Sequence, residues 1–131
     1  MFKPYLCAVY GTLRKGCGNH TCLHGAELVK TCCVSGYKMY SLGGFPACVK
    51  SDDDNDMVQV EVYNITTYDQ QRSLDNLEGY HRGESDQLFY DVDLVDADGE
   101  AAEMYVFKSS DGFTDEHIIK SGDWVKYGNR F

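Results

Sequence analysis

The chain has 131 residues, 43% hydrophobic and 25% charged, with 21 acidic side chains against 12 Lys and Arg and a formal net charge of −9 at pH 7. That length fits one compact domain, spanning residues 1–131, that can bury roughly two thirds of its unfolded surface and so build a core without metal or disulfide staples. The negative field, a longest basic cluster of only Arg14-Lys15, and the lack of any apolar run near the roughly 20 residues of a bilayer span argue against nucleic acid and membrane as partners.

The start, Met1-Phe2-Lys3-Pro4-Tyr5, lacks the apolar core of a secretory signal, and the expectation is a cytoplasmic protein. Tyr5 to Tyr10 is an uncharged, mostly apolar run that stops at Gly11, which predicts a strand buried on both faces. Tyr10-Gly11-Thr12-Leu13-Arg14-Lys15-Gly16 then opens into a loop. Glycine lets such a loop turn sharply and lets a ligand approach its backbone, so its amides can hold a carboxylate or an oxyanion. Taken alone, the segment reads as a glycine-containing turn between strand and loop before it reads as a binding site. It is neither a Walker loop nor a Gly-x-Gly-x-x-Gly dinucleotide turn.

All six cysteines (Cys7, Cys17, Cys22, Cys32, Cys33, Cys48) fall in the first 48 residues. Without a secretion signal they read as free thiols. Cys17, His20, Cys22 and His24 offer four soft or borderline ligands, but structural zinc sites bring two spaced pairs together, and ligands this crowded rarely face one ion. No metal and no cofactor is expected. Cys32 and Cys33 are adjacent, so on a strand they point to opposite faces and read as packing residues.

Strands are predicted next at Val34 to Tyr40 and at Val58 to Tyr63, where Val58, Val60 and Val62 alternate with Gln59, Glu61 and Tyr63. Between them Asp52-Asp53-Asp54-Asn55-Asp56 lacks the spaced ligands, glycine and distal glutamate of an EF-hand and reads as a solvated loop. Thr67 begins a Thr-x-x-Gln capping box with Gln70, predicting a helix that ends at Gly79. Phe89 to Val95 and Glu103 to Phe107, separated by Asp96-Ala97-Asp98-Gly99, form a hairpin candidate. A shorter helix is predicted from Thr114 to Ser121, closed by Gly122.

In the longer helix Leu74, Leu77 and Glu78 stand at i, i+3 and i+4, so Glu78 shares the apolar face that packs on the sheet. Leaving water and sitting in the last helical turn both disfavour its charged form, which raises its pKa and makes it a candidate proton shuttle. The alternative is a Glu78 at the rim of that face, reaching water. The four histidines, His20, His24, His81 and His117, accompany no nucleophile elbow and read as ordinary surface or structural residues.

Taken together, two segments resemble the gamma-glutamylcyclotransferase family, which includes the gamma-glutamylamine cyclotransferases and avirulence-induced-like proteins. Val9-Tyr10-Gly11-Thr12-Leu13-Arg14-Lys15-Gly16 with Asn19-His20 is similar to its signature loop, and Leu74-Asp75-Asn76-Leu77-Glu78-Gly79-Tyr80 to its Leu-Asp-x-x-Glu motif. Supporting matches, such as Gly36 to Tyr40, Phe45-Pro46-Ala47, Glu61-Val62-Tyr63 and Ile119 to Trp124, follow in the same order. The resemblance implies an α+β fold, a small mixed β-barrel with helices packed outside. It also implies that Glu78 is the catalytic residue and that Tyr10, Gly11, Thr12 and Leu13 hold a gamma-glutamyl group. The sequence departs from the family pattern at Val60, where glycine is usual, and at Val92, where a base is usual. The first alters packing near the cavity and the second removes a positive charge near it, which bears on substrate choice more than on chemistry.

The expected activity is release of 5-oxoproline from a small-molecule gamma-glutamyl amine or amino acid. The contrasting reading is a binding module that captures a small metabolite in the same pocket without turnover. An interaction domain using its acidic face has only the net charge behind it. The sequence specifies no oligomeric state.

Overall fold

The structure, a computed structural model, describes residues 2–128. Seven strands follow in order: β1 (Tyr5–Val9), β2 (Glu27–Ser35), β3 (Tyr37–Ser41), β4 (Pro46–Lys50), β5 (Met57–Ile65), then β6 (Tyr90–Ala97) and β7 (Glu100–Phe107). Two helices accompany them, α1 (Tyr68–Glu78) and the short α2 (Trp124–Gly128). Strands β2-β5-β1-β7-β6 form one sheet and β3-β4 a separate ribbon. β1 lies at the centre, antiparallel to β5 and parallel to β7.

Side-chain alternation along these strands builds two cores, one on each face of the large sheet. Ala8, Val58, Val60, Val62 and Met104 face the β3-β4 ribbon, packing with Tyr37, Met39, Cys48 and Ile119. Cys7, Val9, Tyr63, Ile65 and Tyr105 face the other way, against Leu74 of α1 and Leu23. The apolar, uncharged β1 is thus buried on both sides, as its composition predicts.

The α+β class is as expected, but the strands do not close into a barrel. Among the described residues no ladder joins the outer strands β2 and β6. A register shift between Leu28 and Lys30 bends β2, and the gap is spanned by a side chain: Lys30 Nζ donates to the Ala97 carbonyl at 3.0 Å and pairs with Glu100 at 2.5 Å.

The capped helix forms as predicted. Thr67 Oγ1 accepts from the Gln70 N–H at 3.1 Å, and Gly79 closes the helix at φ 64°. The Gln70 side chain returns to Thr66 N at 2.8 Å rather than to Thr67 itself. Leu77, expected on the packed face, is instead 38% exposed, because the last turn of α1 overhangs a cavity.

Three further expectations are corrected. The stretch from Val34 to Tyr40 is two strands, broken at Gly36, whose φ of 85° no strand residue adopts. The β6-β7 turn is only Asp98-Gly99, with φ of 56° and 91°, the positive pair that a two-residue hairpin turn demands. Over 114–121 only a 3-10 turn at Asp115–His117 forms. Beyond it the chain runs extended along β3: Ile118 bridges Tyr40, and Ile119 N donates to the Met39 carbonyl at 2.8 Å. Burying Ile119 in the ribbon core outweighs the local helical preference.

No helix among the described residues is long and apolar enough to cross a membrane. The cysteines are free, Cys7 and Cys48 buried and Cys33 exposed, and no described group of His, Cys, Asp and Glu could hold a metal ion.

Candidate active site

A cavity of about 650 Å³ opens where β1 ends. Tyr10, Gly11, Thr12, Leu13 and Glu78 all line it, so two segments far apart in the chain share one chamber. Its inner wall is Ala8, Val9, Tyr10, Tyr90 and Tyr105, all buried.

The loop after β1 is closed by its own hydrogen bonds. Arg14 N donates to the Gly11 carbonyl at 3.0 Å, Cys17 N to Arg14 at 2.9 Å, and Asn19 N to Thr12 at 2.9 Å, while Asn19 Nδ2 donates to Thr12 Oγ1 at 2.9 Å. His20 Nδ1 donates to the Leu13 carbonyl at 2.8 Å, so its proton sits on that nitrogen. His20 therefore shapes the loop from outside the cavity, and Asn19 from its lining. The bonds that close it use the N–H groups of Arg14, Lys15, Cys17 and Asn19; those of Gly11, Thr12 and Leu13 are not among them. A Cβ at Gly11 would meet Pro46 Cγ at 2.8 Å, so glycine alone lets the loop pass this close to β4.

Arg14 points away from the cavity. Its Nε pairs with Glu61 Oε2 at 3.0 Å and its Nη1 with Asp123 Oδ1 at 2.8 Å, while Glu61 Oε1 also accepts from Lys15 N at 2.8 Å and Tyr63 Oη at 2.7 Å. Burial alone would push Glu61 up, but Lys15 N–H, the Tyr63 hydroxyl and Arg14 outweigh it and hold the carboxyl below its ordinary range. This network bolts the loop to β5 from behind, and Asp123, just before α2, completes it.

Glu78 ends α1 at the cavity wall. Burial pushes its carboxyl up to about 7 from an ordinary 4.5, partly offset by a hydrogen bond from the Tyr90 hydroxyl. By position Glu78 stands between the two alternatives, partly buried and on the wall of the open cavity. One turn earlier, buried Asp75 accepts Arg82 Nε at 2.9 Å, Arg82 Nη2 at 3.0 Å and Tyr105 Oη at 2.5 Å, and Arg82 Nη1 also reaches Glu103 at 3.1 Å. That cluster fastens the end of α1 to β7 and so fixes where Glu78 points.

Val60 is fully buried in the core on the ribbon side, and Val92 pairs with Tyr105 across β6 and β7. Neither lines the cavity, though each adjoins residues that do: Val60 shares its core with Ala8 and Tyr10, and Val92 is the cross-strand partner of Tyr105. Phe45, Pro46, Asn76, Phe89, Tyr90 and Phe107 also line the cavity, none of them a site residue in the sequence reading, since only the fold brings their segments together.

Over residues 7–126 the sequence matches the family described as gamma-glutamyl cyclotransferase, AIG2-like. It is 31% identical over 118 residues to the gamma-glutamylcyclotransferase family protein YtfP of Escherichia coli, covering 89% of this chain and 93% of that one. The solution structure of E. coli ytfP covers 94% of this chain and 98% of its own, with a TM-score of 0.63 at 30% identity. An AIG2-like protein from Mus musculus, at 17% identity, shares the fold with a TM-score of 0.65 over 94% of this chain and 89% of its own. With the match extending over nearly its whole length, the chain belongs to the AIG2-like gamma-glutamyl cyclotransferase family.

Proposed function

We propose that this protein is a gamma-glutamyl cyclotransferase that uses Glu78 as base and then acid. The observation that carries the reading is a carboxyl tuned to about 7 in the same cavity as a loop whose Gly11, Thr12 and Leu13 N–H groups are left out of its closure. In a gamma-glutamyl amide the nucleophile is built in. The substrate's alpha-amine nitrogen attacks its own gamma-carbonyl carbon, a C–N bond forms to close the five-membered lactam, and the bond from that carbon to the amide nitrogen breaks. Glu78 takes the proton released by the attacking nitrogen and returns it to the departing one, giving 5-oxoproline and a free amine without added water or cofactor.

Proton transfer of this kind contributes about 10²- to 10⁴-fold, and a carboxyl near 7 is matched to both halves of the cycle. The remaining acceleration comes from folding the substrate into the reactive conformer and from amides aimed at the developing oxyanion. Gly11, Thr12 and Leu13 supply those amides, and Tyr10, fixed by donating to the Tyr105 carbonyl at 2.7 Å, forms the inner wall.

The test is quantification of 5-oxoproline released from gamma-glutamyl amino acids, gamma-glutamyl-lysine and glutathione, with the Glu78→Gln variant beside wild type. Product from wild type only, with binding retained in the variant, is the expected result. Full activity in the variant removes Glu78 from the mechanism, and intact ligand recovered after denaturing the protein would identify a binding module instead.

A further inference from the structure

The cavity is graded from its inner wall to its mouth. Buried Ala8, Tyr10 and Tyr105 lie inside, whereas Phe45 just before β4, Leu77 of α1 and Phe89 just before β6 line it while remaining 43%, 38% and 59% exposed. These three form an apolar lip. Among the described residues Glu78 is the one charged side chain on the lining, and no Lys, Arg or His of that set joins it.

The cations of the surrounding segments are directed elsewhere. Arg14 is bound to Glu61 and Asp123, Arg82 to Asp75 and Glu103, and Lys108 Nζ donates to the Gln87 carbonyl at 2.8 Å. Lys15 follows Arg14 on the loop but is exposed and off the lining. The polar side chains are neutral: Thr12 and Asn19 bond each other, and Asn76 is exposed beside Leu77.

We propose that this enzyme acts on gamma-glutamyl amides whose leaving amine carries an apolar chain with no charged substituent, an arylalkyl amine, and discriminates against leaving groups bearing a carboxylate or a zwitterion. The inference rests on the cyclotransferase reading. If the loop amides and Glu78 hold the glutamyl end inside, the leaving amine lies along Phe45, Leu77 and Phe89. An aromatic or branched chain there removes apolar surface of both partners from water. A carboxylate in the same half-exposed place gives up part of its hydration with no cation among the described lining residues to replace it, in the same cavity as Glu78 and within a chain of net charge −9. A lysine leaving group brings both charges of its zwitterion onto the same lip.

Three donors isolate the leaving group: gamma-glutamyl-phenethylamide, gamma-glutamyl-phenylalanine, which differs from it only by the carboxylate, and epsilon-(gamma-glutamyl)-lysine. With 5-oxoproline as the readout, kcat/KM for the phenethylamide is expected to exceed both others by about tenfold or more, since unpaired charge in a pocket discriminates at least that strongly. Equal or faster release from the phenylalanine or lysine donor overturns the inference and leaves the cyclotransferase reading standing. No 5-oxoproline from any of the three overturns that reading and the inference with it. The Phe89→Arg variant supplies a cation at a position exposed enough to keep it solvated. It is expected to narrow the phenethylamide-to-phenylalanine ratio about tenfold by improving the carboxylate donor, and an unchanged ratio removes Phe89 from the leaving-group subsite.

Discussion

Replacing Glu78 with glutamine should make the protein more stable at alkaline pH while removing the proposed base. Raising the carboxyl from 4.5 to about 7 corresponds to about 3 kcal/mol of preference for the neutral form in the folded state, at about 1.4 kcal/mol per pH unit. The folded protein holds this proton more tightly than the unfolded chain does, so the contribution of Glu78 to stability is fully present below 4.5. It is lost as pH rises toward 7, and above 7 the whole penalty is in place. Glutamine keeps the shape and carries no such penalty. Urea unfolding of both proteins, followed by the fluorescence of the single Trp124, should therefore give similar stabilities at pH 4.5 and a variant more stable by about 3 kcal/mol at pH 8.5. A difference that does not change with pH, or a variant less stable than wild type at pH 8.5, would refute the burial of an ionisable Glu78.

The same carboxyl sets the pH–rate profile: kcat/KM should rise through about 7 as Glu78 ionises, and a rise centred near 4.5 would mean a solvated carboxylate. Arg14→Ala should cost about 3–5 kcal/mol in chemical denaturation, because it strands Glu61 in a pair whose side chains are only 8% and 9% exposed. Arg72→Ala, which breaks an ion pair 69% and 81% exposed, should change stability by less than about 0.5 kcal/mol and serves as the control. Gly11→Ala should lower turnover more than it lowers the melting temperature, because the added methyl pushes the loop off Pro46 at the cavity wall; unaltered kinetics would show that the contact is relieved without moving the loop.

Features with a local cause could be read along the chain. The apolar run into Gly11 and the Thr67-Gln70 cap to Gly79 each place their element within a residue or two, and helical phase puts Glu78 on the inward face of α1 or at its rim. Most of β2 escaped because its side chains are largely exposed, so Glu27 to Cys33 shows no buried stripe. β4 is buried along most of a length of five residues, too short and uniform to carry a period. The Arg14-Glu61-Asp123 and Asp75-Arg82-Glu103 clusters join residues that the topology alone brings together, and no local pattern announces a partner on another strand. Leu77 was misplaced for a related reason: helical phase says which way a side chain points, but whether it meets core or an opening depends on the neighbouring strands.

The central place of β1 has a kinetic consequence. Cys7 is paired with Tyr63 on one side and Glu103 on the other, so the loop that leaves this strand has no fixed position until both distant partners have docked. Closing such long loops precedes any reward from the contacts they allow, which makes this topology a slow one to complete. The α1 helix and the β6-β7 hairpin are local and can form early, with Glu78 and Tyr90 already on them, yet a chain at that stage has no chamber. During refolding, regain of turnover should lag behind regain of circular dichroism and coincide with the last phase to complete, which makes activity a sensitive reporter of whether the whole molecule has folded.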